Sequence, residues 1–249
     1  IEMTHAGGNF TNPENILQQH ALTYTPGETV WPIVIYGSTL YGRSTMSKIA
    51  SYLEQENLSL VAGVNGSFFD MSTGIPYGFV VTDGVLRSSA SYLNALGFNA
   101  DGSAVIGKPS LSVSADLGYA LADSTGYTAE VVRTIAGVNK ARVSTGGIYL
   151  YTYDFNNRHT TGNTEAGVDV LCTIVDGSLS IGGTMTLVVD QVIEATSATA
   201  IGPDQIVLSA NALSNTYYTD ALRNIPVGAT VTVTVSAANE AWNDVQYAV

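Results

Sequence analysis

The sequence predicts a β-rich α+β chain: a mixed or antiparallel sheet core with one or two packed helices, plus an all-β subdomain. Three observations carry this reading. Hydrophobic residues make up 45% of the 249 and charged residues only 12%, so the chain folds and does not stay disordered. Twenty-five glycines, with short runs rich in Thr, Val, Tyr and Ile, point to strands joined by tight turns. Three Asp-Gly pairs, at 83–84, 101–102 and 176–177, each separate two strand-like runs. Such a pair is a hairpin signal because both turn residues adopt positive φ there.

Residues 1–29 are polar and broken by Gly7-Gly8, Asn12-Pro13 and Pro26-Gly27. A short helix is expected over 13–20, with Asn12 as N-cap and Pro13 in its first position. Trp31 to Tyr36 reads as a strand. Ser44 or Thr45 caps a helix running to about Glu56, whose apolar positions Met46, Ile49, Ala50 and Leu53 follow helical spacing. Leu58 to Val64 reads as a buried strand ending at Asn65-Gly66.

Beyond this point the pattern is β. Residues 78–84 and 97–102 are near copies, read as two adjacent hairpins and not as a repeat array, since no fixed period continues. Residues 110–140 hold further strands, and Thr145 to Tyr153 holds another. Strands are expected at 168–175, 179–181, 184–194, 205–209 and 229–236, with one helical turn around 214–223. The strands of 168–237 read as a compact, barrel-like β subdomain. Ala229 to Ser236 alternates with period two, and Trp242 to Val249 reads as one more strand.

The formal charge is −12, from 9 basic and 21 acidic residues. A surface this acidic repels phosphate backbones and anionic membranes at long range, which argues against nucleic acid as a partner. No run of 18 apolar residues exists, so membrane insertion is not expected. One cysteine, Cys172, lies in an apolar run and reads as a buried, inert thiol. His5, His20 and His159 have no ligand spacing, so no metal and no cofactor is expected. The chain starts at Ile1 without a signal-peptide pattern, which predicts a processed or trimmed product.

The functional signal sits in Val61 to Leu86. A strand delivers Asn65 and Gly66 to its end, and Gly66 permits a sharp turn or close backbone approach. Phe68 and Phe69 are expected to anchor the turn in apolar surface, with Asp70 just beyond on a rigid support. The same residues also suit an ordinary structural turn. The pattern Asn65-Gly66-Ser67-Phe68-Phe69-Asp70, then Gly74-Ile75-Pro76-Tyr77-Gly78, then Asp83-Gly84, resembles the phosphodiester glycosidase family. That family includes the lysosomal uncovering enzyme of animals and bacterial exopolysaccharide-related proteins. Ser67 stands where the family often has a second Gly. Residues 34–44 and 98–109 resemble its bacterial members, and 241–249 resembles the strand before the family's Gly-rich continuation.

The resemblance implies hydrolysis of a sugar–phosphate diester at the glycosidic carbon, by a secreted or cell-surface bacterial protein. By that reading Asn65 and Asp70 are the catalytic candidates. Gly66, Phe69, Thr73, Tyr77, Gly78 and Arg43 are the candidates for holding a carbohydrate or sugar-phosphate ligand; Arg87 is a further cation near the cleft. Residues 1–140 form the first part of the domain, 141–238 look like a β insertion of bacterial members, and 239–249 return to the main domain. The family's Arg-Thr-Ala-Val-Gly strand and Asp-Gly-Gly-Gly-Ser turn do not occur in the sequence. The resemblance therefore implies a missing C-terminal half as partner, with little activity in this portion alone. A carbohydrate-binding or cell-wall-associated β module without catalysis remains the alternative, as does a structural surface domain.

Overall fold

The computed structural model describes residues 2–7, 18–23, 25, 27, 29–90, 93–143, 146–213 and 215–249, with the backbone only for 2–7 and 18–20. Among them, strands dominate. A two-stranded antiparallel ribbon joins β1 (Glu2–Gly7) and β2 (Gln18–Thr23). Most of the helix expected over 13–20 lies outside the described residues, and its end, 18–20, is strand instead. The helix α1 (Met46–Gln55) forms as expected, because the Thr45 hydroxyl accepts from Lys48 N at 3.3 Å and caps the first turn. Leu53 is its buried residue.

Two sheets build the rest. The first has the order β4-β3-β14-β5-β6, from β3 (Val80–Thr82), β4 (Val85–Ser88), β5 (Ala95–Asn99), β6 (Ala104–Gly107) and β14 (Val245–Ala248). The two hairpins read from the near-copied segments are both present, but β14 lies between them. Asp83 and Gly84 both have positive φ, at 54° and 71°, as the two-residue turn requires. At the other two Asp-Gly pairs only the glycine does, so those loops take longer forms.

The second sheet is a closed seven-stranded barrel, β10-β11-β13-β7-β8-β9-β12. Its strands are β7 (Leu111–Ala122), β8 (Thr128–Val138), β9 (Ile148–Thr152), β10 (Gly167–Gly177), β11 (Thr184–Ala195), β12 (Gln205–Asn211) and β13 (Thr230–Ala237). All neighbours are antiparallel except β8 and β9. That parallel pair needs no long crossover, because β9 starts opposite Ile135, close to the end of β8. Closure removes the exposed edges that a seven-stranded open sheet would carry. The helical turn expected near 214–223 is a full helix, α2 (Thr216–Arg223), capped by Asn215. Trp242 belongs to a short 3-10 turn and not to the final strand.

Period-two alternation fills the barrel. Val113, Ala115 and Leu117 on β7, Val168, Val170 and Cys172 on β10, and Val231, Val233 and Val235 on β13 are all buried in one core. The same core continues into the first sheet through Phe79, Val81, Leu86, Trp242 and Val245. Phe79 and Trp242 meet edge-on with centroids 5.7 Å apart. Burial pushes the Cys172 thiol up to about 12, so it is inert as read from its apolar surroundings.

Three expected strands are absent. Residues 31–36 and 58–64 are irregular, and 179–181 make only an isolated bridge, from Ser180 to Val85. Apolar composition alone does not make a strand; the backbone also needs a ladder partner. Thr82 Oγ1 reaches Val34 O at 3.2 Å, but no strand pairs with 31–36 or 58–64 among the described residues. The run 58–64 is also largely exposed: Val61 is 61% and Val64 86% accessible.

One charged network braces the barrel wall. The Arg142 side chain, 2% exposed, donates to Ser209 Oγ at 3.0 Å and Ala210 O at 3.1 Å, and lies 3.7 Å from the fully buried Asp169 carboxylate. Asp169 accepts from Ser209 Oγ and Thr199 Oγ1, both at 2.5 Å. Removing one partner of such a pair leaves an uncompensated buried charge. Arg142→Ala is therefore expected to destabilise the protein by roughly 3–5 kcal/mol, measured by urea unfolding. A loss below about 1 kcal/mol would show that water reaches Asp169 and replaces the guanidinium.

Candidate active site

The site is built on the loop between residue 66 and β3, which folds back along itself. Tyr77 N donates to Phe68 O at 2.9 Å and Asp70 N to Ile75 O at 2.9 Å, with Gly74 N returning to Asp70 O at 2.7 Å. Gly74 has φ +82°, and a Cβ there would fall 1.9 Å from Gly42 O, so only glycine fits this bend.

Asp70 enforces the turn. Its Oδ1 accepts from Ser72 N (2.8 Å), Ser72 Oγ (2.5 Å), Thr73 N (2.9 Å) and Thr73 Oγ1 (3.1 Å). This is an Asx turn with both following hydroxyls recruited. The donors, the Ser72 hydroxyl foremost, hold the Asp70 carboxyl down at about 2. Its Oδ2 has one distant contact, the Tyr77 hydroxyl at 3.5 Å. One carboxylate oxygen is thus saturated and the other nearly unengaged among the described residues.

Asp70, Thr73 and Tyr77 line a cavity of about 550 Å³ whose far wall includes Ser112, Ile135 and Lys140 from the barrel side. Two ties hold the loop against the barrel. Ile75 packs with Tyr149, Tyr151 and Phe155 on the outer face of the wall. Lys140 Nζ donates to the carbonyls of Pro76 and Gly78, the latter at 3.0 Å.

Lys140 is itself rigidly held. Asn139, fully buried with φ 50°, takes the left-handed conformation that ends β8. Its Nδ2 donates to Arg87 O (2.8 Å) and Thr152 Oγ1 (2.9 Å), and its Oδ1 accepts from Thr152 N (3.0 Å). Arg142 clamps the chain two residues further on. Burial pushes the Lys140 ammonium down to about 8, and no carboxylate lies within ion-pair distance of it among the described residues.

The structure brings Asp70, Thr73 and Tyr77 together but leaves the other candidates elsewhere. Asn65 is exposed, lies outside the lining of this cavity and makes no hydrogen bond with any described residue. Gly66 has its close approach to Val249, whose side chain would sit 2.7 Å from an added Cβ. Gly78 contributes its carbonyl to Lys140 and its N–H to Ser67 Oγ at 3.2 Å. Arg43 is exposed and outside the cavity lining, and Arg87 is paired with Asp154 at 2.9 Å. Phe68 and Phe69 do not anchor the turn: Phe68 is 87% and Phe69 40% exposed. Val61, Val64 and Met71, near them in sequence, are exposed as well.

Sequence reasoning missed Lys140. The available signal was modest: one of only nine basic residues, placed directly after an apolar strand that ends in Asn. An ammonium at the end of a buried strand must desolvate or find an anion.

A profile of the phosphodiester glycosidase family matches residues 59–200, more than half of the chain and including the whole Asp70 loop and Lys140. A hypothetical protein from Synechocystis has the same fold over 99% of this chain, with a TM-score of 0.65 at 16% identity. The match covers 41% of that protein, so the chain spans about two fifths of its length. A protein from Burkholderia pseudomallei aligns less well, with a TM-score of 0.47 and 16% identity over 80% of this chain and 42% of its own. No curated protein matches. On the strength of the profile match, the chain belongs to the phosphodiester glycosidase family.

Proposed function

We propose that the chain carries part of the active site of an enzyme that hydrolyses sugar-1-phosphodiesters at the glycosidic carbon. One observation carries the reading. A carboxylate held ionised, with one oxygen nearly unengaged among the described residues, lies at a cavity of sugar size within the family-matched segment.

The chemistry follows from the leaving group. The glycosidic C–O bond breaks with its electron pair passing to the phosphate oxygen, while a water oxygen bonds to the same carbon. The products are a free sugar and a phosphate monoester, and one proton goes to solvent. A phosphate monoester is a stable anion with a second pKa near ~6, so the departing oxygen needs no proton. Asp70 at about 2 is a poor proton donor at neutral pH and a suitable fixed negative charge. It would stabilise the positive charge that builds on the sugar ring and orient the water. Among the described residues lining the cavity, it is the one carboxylate.

The exposed apolar side chains of Val61, Val64 and Phe68 are where we place further segments of the domain, including the Arg strand and Gly-rich turn that the resemblance expects. The chain's short span relative to the Synechocystis protein supports this. We take the barrel as a module set between β6 and β14 of the first sheet, which the strand order supports. No helix among the described residues is long and apolar enough to cross a membrane. The likeness of 34–44 and 98–109 to bacterial members supports a secreted or cell-surface role in glycan metabolism.

A binding module without catalysis is the second reading, favoured by the position of Asn65 outside the cavity. Assay of the full-length protein on a sugar-1-phosphodiester separates the two. Turnover is expected to fall by about 100-fold or more in Asp70→Asn, the scale for removing one preorganised electrostatic group. Binding without turnover in the wild type would favour the second reading.

The pH behaviour is a separate check. A carboxyl lowered from 3.8 to about 2 stabilises the fold fully above pH 3.8, and that contribution disappears as pH falls through 2. The Asp70 carboxyl resonance is expected to titrate near 2 by NMR, and Asp70→Asn should remove that part of the acid dependence of stability. A midpoint near 4 would mean the Asx turn is not formed in solution.

A further inference from the structure

Lys140 raises a question of charge that the Asp70 chemistry does not answer. Its ammonium has three donors. Two are used on the Pro76 and Gly78 carbonyls, which are neutral acceptors. No described carboxylate pairs with it. A half-buried ammonium without an anion is an incomplete arrangement, because carbonyl dipoles compensate only part of the lost hydration. The cavity lies directly beside it, and the lysine forms part of the wall.

The cavity therefore carries two opposite charges at different places. Asp70 supplies a fixed negative charge on the loop side, and Lys140 a positive one on the barrel side. The two do not pair with each other, as no ion pair joins them. A substrate that becomes positive at one end and negative at the other matches this pattern.

We propose that Lys140 is the phosphate-binding residue of this site, holding the phosphodiester group through its third N–H while the sugar lies toward Asp70 and Tyr77. The sugar orientation rests on the glycosidase reading given above; the anion site at Lys140 does not. Asn139 and Arg142 act as positioning residues, since they fix the turn on either side of Lys140. As the glycosidic bond breaks, negative charge grows on the phosphate oxygen, and a cation already fixed beside it needs no reorganisation. The acidic surface makes the point sharper: with a net charge of −12, an anionic ligand needs a local cation to stay bound.

The test uses inorganic phosphate as probe, on the chain and on the full-length protein. Phosphate titration should shift the Lys140 Nζ resonance in lysine-detected NMR. Lys140→Met should weaken phosphate binding by about 10-fold or more, the scale of one charge-assisted hydrogen bond, and Lys140→Arg should restore part of it. In the full-length enzyme, Lys140→Met should raise KM for the diester, with a loss in kcat where the charge acts on the leaving group. An unmoved Nζ resonance at saturating phosphate, or unchanged phosphate affinity in a folded Lys140→Met, overturns the proposal. Should Lys140→Met unfold, the wild-type Nζ shift decides alone. Diester turnover that is indifferent to Lys140→Met would sink this inference and leave the glycosidase reading standing. A Lys140-dependent phosphate site without any diester turnover would do the reverse.

Discussion

The contact on which the site depends is the pair of hydrogen bonds from one lysine ammonium to the carbonyls of Pro76 and Gly78. The loop that carries Asp70 leads into one sheet, and the lysine comes from the end of a barrel strand. Nothing in the chain's order forces these to meet. They meet because a half-buried cation takes the nearest acceptors, and those belong to the loop. Ile75 adds an apolar tie to Tyr149 and Tyr151. Loop and barrel wall thereby form the two sides of one cavity.

Support for this arrangement runs deeper into the barrel. Asn139 satisfies its amide fully while buried, at the cost of a left-handed backbone that only a few residue types tolerate. Arg142 reaches across to Ser209 and the Ala210 carbonyl, and balances Asp169. A strand end, an amide and a guanidinium thus convert a flexible lysine into a fixed group. The carboxylate opposite is fixed by different means, a turn whose donors all come from the next three residues. One side of the cavity is held by local sequence and the other by tertiary contacts.

That difference explains what was legible beforehand. Asp70 could be singled out, because it follows Asn-Gly and precedes Gly74 in turn-forming sequence; the turn built on Ser72 and Thr73 was not read, although its chemistry is local. The barrel strands could be read as well, since Thr and Val alternate along Thr230–Ala237, and Val, Leu and Ile fill Gly167–Gly177. Lys140 could not be read, because its role depends on carbonyls more than sixty residues away. The strand expected at 58–64 failed for a related reason. Leu60, Val61 and Val64 have strand composition, but a ladder needs a neighbour and none of the described strands supplies one. Helix α1 was legible to within a residue, since its Thr45 cap and Leu53 contact are both set by local spacing.

The place of β14 has a consequence for assembly. This short strand sits at the centre of the first sheet, between β3 and β5, yet it follows the entire barrel in sequence. During synthesis the two hairpins emerge early with their facing edges open, and they wait while the barrel is made. Only then does the strand arrive that joins them, with Tyr247 reaching the Asp83 carboxylate and Val249 pairing with Leu96. Maturation of the first sheet is therefore a late event governed by completion of the second, and its open hairpin edges are the natural point at which nascent chains would stick to one another.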